Sequence, residues 1–121
     1  MKEAYVSFEV AKLLKEKGFD EPCIKHWDCD DYSLYSANDI PISNSELRDN
    51  EYNGVSAPTH QMACAWLRGK GIHIAVLYQC KFKSWERIIQ SSTGVEWSIG
   101  GFSSHDEAIE SALKYTLENL I

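Results

Sequence analysis

The chain is short of cations. Among its 121 residues Lys and Arg number 12 against 18 Asp and Glu, a net charge of −6. Gripping nucleic acid by its phosphates needs the opposite balance, so a general nucleic-acid binder is disfavoured. The chain also lacks any apolar run of about 18–20 residues that would span a bilayer. The stretch MKEAYVSFEVAKLLKEKG is studded with Lys and Glu and reads as neither a signal peptide nor a membrane helix. A cytoplasmic protein without a membrane partner is expected, and its four cysteines are then reduced thiols, not a disulfide framework. There is no glycine-rich phosphate loop: Gly100-Gly101 precedes a helix without the Lys or the spacing, and reads as a tight strand-to-helix turn. Asp28, Asp30 and Asp31 lack the central Gly and terminal Glu of a calcium loop and read as a solvated acidic turn. No internal repeat is present.

What is there is ordinary globular material: 44% hydrophobic residues, with four Trp and six Tyr as large apolar payloads. The length predicts a single domain over residues 1–121. Charge is uneven, −6 over residues 1–67, +3 over 68–99 and −3 over 100–121.

SFEVAKLLKEKG predicts a helix with Ser7 as N-cap, an apolar stripe of Val10, Leu13 and Leu14, and Gly18 ending it. From about 28 to 55 the chain turns to Asp, Asn, Ser and Tyr with little periodicity, and predicts a long irregular segment. Its one helical turn follows the capping box of Ser43 and Glu46. A second helix begins near Pro58, with Met62, Ala63, Trp66 and Leu67 on one face. IHIAVLY, WERIIQ and VEWSI alternate with period two across short gaps, which predicts an antiparallel meander. Its Ile/Val/Trp face is core, whereas Ala75, Leu77 and Ile88 fall on the opposite face among polar residues. Ser104 and Glu107 predict the start of a last helix that buries Ala108, Ile109, Ala112, Leu113, Thr116 and Leu120. The fold expected is α+β, a three-stranded antiparallel meander packed against helices in the order α-(loop)-α-β-β-β-α.

His60 and Cys64 sit one helical turn apart, but Cys64 lies in the second turn beside Ala63 and Leu67, where burial raises a thiol pKa. They are expected to seat the helix on the sheet and do no chemistry. Cys23, His26 and Cys29 read C-x2-H-x2-C, a compact zinc-ligand spacing that lacks a fourth ligand. A core thiol beside a surface histidine is the preferred reading, with no metal and no cofactor. The run from Trp85 to Leu113 superficially resembles the sheet-plus-helix DNA-binding domains of the AP2/integrase type. That resemblance implies DNA contact through the sheet by Arg87, Trp85 and Trp97, although Glu86 and Glu96 depart from the pattern and both tryptophans fall on the core face; Arg68, Lys81 and Lys83 are further candidate cations.

A broader resemblance rests on "SFEVAKLLKEKGF", "APTHQMACAWLR", "IHIAVLY" and "SHDEAIESALKYTLENLI". Together these resemble a family of small uncharacterised proteins of Bacteroides-type gut bacteria and their phages or mobile elements. The resemblance implies origin, not activity. The function expected is a small non-enzymatic protein-interaction module, able to pair with itself through the sheet face of Ala75, Leu77 and Ile88. Tyr32, Tyr35 and Tyr52 of the 28–55 segment offer a second candidate partner surface. A DNA-contacting accessory protein is the alternative, and a zinc-binding domain comes third.

Overall fold

Ser7 opens the first helix as its sequence predicts, its Oγ accepting from the Val10 N–H at 3.2 Å. That helix, α1, spans Phe8–Glu16 and ends at Gly18, whose φ of +93° lets the Phe19 N–H return to the Leu14 carbonyl. The computed structural model describes residues 3–121. It is α+β and divides into two compact units, one ending at Thr59 and the other beginning at His60.

In the first unit α1 is followed by β1 (Lys25–Asp28), β2 (Leu34–Ser36), α2 (Asn44–Asp49) and β3 (Gly54–Ser56). The strands form an antiparallel sheet in the order β2-β1-β3. Residues 28–55, expected to be irregular, therefore hold most of a second sheet. These strands are three or four residues long, too short to display a period of two. The capping box of Ser43 and Glu46 is present and starts α2. Val6, Val10, Leu14, Phe19, Leu47 and Val55 form the core of the unit.

The second unit runs α3 (His60–Arg68), β4 (Ile72–Gln79), β5 (Ser84–Ser91), β6 (Glu96–Phe102) and α4 (His105–Asn119). The predicted meander is here, antiparallel in the order β4-β5-β6. From its second helix onward the expected order matches this unit; before that it has α1 but omits the first unit's sheet. Two details differ. Helix α3 buries His60, Ala63, Cys64 and Leu67, while Met62 is exposed, so its core stripe is rotated from the predicted one. Gly100 and Gly101 belong to β6 and do not form its exit turn. Trp85 pairs with Phe102 and Arg87 with Ile99, so β6 carries one extra residue there, a bulge that the φ of +91° at Gly101 accommodates. Helix α4 starts where Ser104 Oγ accepts from the Glu107 N–H at 3.1 Å. It buries Ala108, Ile109, Ala112, Leu113, Thr116 and Leu117.

Candidate functional site

Strand register decides what each face of the meander carries. Ala75 stands opposite Ile88, Leu77 opposite Glu86, and Ile88 opposite Ser98, so these residues share one face. That face is open. Ala75 is exposed, Leu77 keeps 49% of its surface in solvent, and Phe82 at the β4–β5 turn keeps 70%. A groove of about 470 Å³ lies at the end of this face nearest the β4–β5 turn, beyond Ala75, Leu77 and Ile88, and is lined by Gln79, Phe82, Ser84, Glu86, Ser98, Gly100 and Gly101. The two glycines leave the groove open where side chains would fill it. Gln79 Nε2 donates to Glu86 Oε2 at 2.6 Å, which fixes the polar wall. Charge is split along the strands: Lys81 and Lys83 sit exposed at the β4–β5 turn, and Glu96 sits at the far end, accepting from Ser98 Oγ at 2.8 Å.

Arg87 corrects the DNA-contacting expectation. It shares the face of Trp85 and Ile89, turned toward α4, and only 3% of it is exposed. Its Nε donates to Ser111 Oγ at 3.0 Å, and the guanidinium carbon lies 5.0 Å from the centre of the Tyr115 ring. Burial pulls the guanidinium pKa below its ordinary value. A residue so placed cannot reach a phosphate. The other cations are exposed but dispersed: Arg68 precedes β4 and Lys81 follows it, about 25 Å apart along an eight-residue strand.

The Cys23, His26 and Cys29 spacing is not drawn into a metal cluster, and no group of three or more His, Cys, Asp or Glu side chains among the described residues could hold an ion. His26, expected at the surface, is fully buried. The Ile42 carbonyl can only accept, so His26 Nε2 donates to it, at 3.0 Å, and Nδ1 is left without a partner. Cys23 is buried as expected. Its Sγ donates to the Glu21 carbonyl, and burial pushes its pKa up to about 11. Burial also raises the Cys29 thiol, against the pull of Lys15, and the Cys64 thiol, against that of Arg68.

Of the three tyrosines, Tyr35 and Tyr52 come together, with ring centres 5.4 Å apart, and Tyr52 donates to Asp28 Oδ2 at 3.1 Å. Tyr32 is separate and packs edge-on against Phe8 at 5.0 Å. His60 and Cys64 are both buried. His60 Nε2 lies 2.8 Å from Glu110 Oε1 on α4, and Nδ1 lies 3.8 Å from Asp106 Oδ1. This histidine ties α3 to α4 across 50 residues of sequence, a pairing with no local signal. Glu110 is its half-buried partner.

No helix among the described residues is long and apolar enough to cross a membrane. No protein family, curated protein or solved structure matches the chain.

Proposed function

We propose that the chain is a non-enzymatic interaction module that pairs with a second copy through the open face of the β4-β5-β6 sheet. One observation carries this: Ala75, Leu77 and half-buried Ile88 present apolar surface on one face of a sheet, with Phe82 beside them at the β4–β5 turn, while α4 covers Arg87 and Ile89 on the other face. Apolar surface gathered on one face is a partner signature; scattered exposed residues are not. A second copy fits because the face is self-complementary. In a two-fold stack of antiparallel sheets, Lys81 and Lys83 of each copy meet Glu96 of the other. The cysteines support a non-enzymatic reading, since those with raised pKa values are neutral thiols at physiological pH. The proposal includes an origin among the small proteins of Bacteroides-type bacteria and their mobile elements, on the strength of the four stretches quoted above.

The size of the face sets the affinity. Three strands of about 25 Å at a spacing of about 4.8 Å cover roughly 350 Å² per copy, under half the usual figure of about 800 Å². The dimer is therefore weak, with a dissociation constant on the order of 100 μM. Sedimentation velocity from about 10 μM to 1 mM, spanning that constant, checks it. The wild type should pass from monomer to dimer, Leu77→Asp should remain a monomer, and Lys81→Glu with Lys83→Glu should weaken pairing until Glu96→Lys restores it. A wild type that stays monomeric throughout, or a Leu77→Asp variant that pairs as before, refutes the proposal.

A further inference from the structure

The first unit carries a different kind of surface, built from residues that take no part in the dimer. Along α1 the residues Phe8, Lys12, Lys15 and Glu16 fall on one stripe, at offsets of four, seven and eight. That stripe forms one wall of a cleft of about 440 Å³, whose other walls include Tyr32, Cys29 and Val55. The volume lies within the range of small-molecule sites, toward its lower end.

Three observations separate this cleft from a surface dent. The first is a strained and braced aromatic wall. Tyr32 adopts a φ of +58°, which a bulky side chain rarely takes, and the residue remains 64% exposed while its ring packs edge-on against Phe8. The loop holding it is tied by hydrogen bonds from the Asp30 and Asp31 N–H groups to Asp28 Oδ1, and from the Ser33 N–H to Asp31 Oδ1. The second is charge. Residues 1–59 hold twice as many acids as bases, yet Lys12 and Lys15 both line this mouth against the single acid Glu16, and neither lysine belongs to an ion pair among the described residues. The third is the interior. Val55 is buried and Cys29 is half-buried as a neutral thiol, so the floor is apolar and uncharged.

We infer that this cleft binds a small planar aromatic carboxylate, with the ring against Phe8, Tyr32 and Val55 and the carboxylate between Lys12 and Lys15. The apolar walls select an aromatic body, and the excess of Lys12 and Lys15 over Glu16 selects an anion over a cation of the same shape. Asn53 also lines the cleft, but its Nδ2 already donates to Asp30 Oδ1 at 2.9 Å, so it braces the wall and leaves selection to the lysines.

Titration of the ¹⁵N-labelled protein with indole-3-acetate, followed by amide chemical shifts, tests this. At the efficiency of ordinary small ligands the dissociation constant is on the order of 1 mM or tighter. Saturable shifts should appear at residues 8–16, 29–33 and 53–55. Tryptamine, the cationic counterpart, should produce none there. Lys12→Gln with Lys15→Gln should raise the dissociation constant about five- to tenfold, two exposed charges being lost. Tyr32→Ala should weaken binding without changing the preference for the anion. Absence of saturable shifts up to about 5 mM overturns the inference. So do equal binding of tryptamine, shifts confined to other residues, or unchanged affinity in the double lysine variant. With the protein held at about 20 μM, below the dimer's dissociation constant, every readout comes from monomer at residues of the first unit, so failure here leaves the sheet-face proposal standing, and the converse holds.

Discussion

Replacing Arg87 by methionine should leave the protein as stable as before, or make it more stable by about 1–2 kcal/mol. Arg87 is 3% exposed, and its guanidinium has no carboxylate partner among the described residues. Its compensation is one hydrogen bond to Ser111 and the face of Tyr115. Those are worth roughly 1.5–3 and 0.5–2 kcal/mol, respectively. Against them stand the desolvation of a cation, several kcal/mol even after relaxation, and a buried Nη1 with no partner, about 1–3 kcal/mol more. The lowered pKa carries the same sign: the charged form is held less well in the folded chain, so the cost is present at every pH below the guanidinium range.

Methionine fills similar space with no charge, and half-buried Ser111 can turn to water. Alanine should behave differently, losing about 2–3 kcal/mol through the cavity beside Ile89 and α4. Urea unfolding followed by tryptophan fluorescence is the assay, because three of the four tryptophans, Trp66, Trp85 and Trp97, lie in the second unit. A loss above about 2 kcal/mol for Arg87→Met would show that the hydrogen bond and ring contact outweigh desolvation, and would refute the reasoning.

Three further outcomes concern packing at Gly54 and the thiols. A Cβ at Gly54 would stand 3.0 Å from the Tyr52 ring and 3.1 Å from Tyr35 Oη, so Gly54→Ala should cost about 1–2 kcal/mol and speed hydrogen exchange in β1 and β2; unchanged exchange would contradict that packing. Cys23, whose pKa rises to about 11 on folding, adds stability that is complete below the thiol's unfolded range near 9 and is lost as pH climbs toward 11. Cys23→Ser should flatten that part of the stability profile. At pH 8, mass-mapped alkylation should find exposed Cys80 first and buried Cys23 and Cys64 last.

Helix starts and the meander are legible in the sequence because each is written in local terms. Ser7, Ser43 and Ser104 stand where a hydroxyl can accept an orphan N–H, and eight-residue strands are long enough to show alternation. The candidate face is legible for the same reason, since a period of two assigns Ala75, Leu77 and Ile88 to one side. The first unit's sheet is not legible. Its strands are too short to alternate, and its turns use aspartates that read equally well as loop. Arg87 is misleading in a different way. Alternation places it with Trp85 and Ile89, yet residue type argues for solvent, and only the Ser111 and Tyr115 contacts from a helix 24 or more residues away make burial tolerable. The burial of His26 and the pairing of His60 with Glu110 rest on partners 16 and 50 residues distant, beyond any local pattern.

The meander offers a second route to self-association, edge to edge, and its own geometry weighs against half of it. Strands β4 and β6 are the edges of the sheet. The bulge at Gly100 and Gly101 breaks the β6 ladder and twists that edge away from any incoming strand, a common protection of exposed edges. Strand β4 has no such interruption: it pairs with β5 through all eight residues without a shift. Every second amide of β4 therefore points away from β5 and is available to a partner strand. Hydrogen exchange at concentrations where the dimer forms separates the two arrangements. In the face-stacked dimer those outward amides remain as fast as in the monomer, while solvent is shut out around Leu77, Ile88 and Phe82. In an edge-paired dimer they slow by orders of magnitude, and Leu77→Asp does little, because its side chain leaves the sheet perpendicular to the edge. Protection of the β4 amides together with dimerisation of Leu77→Asp would move the interface from the face of the sheet to its rim.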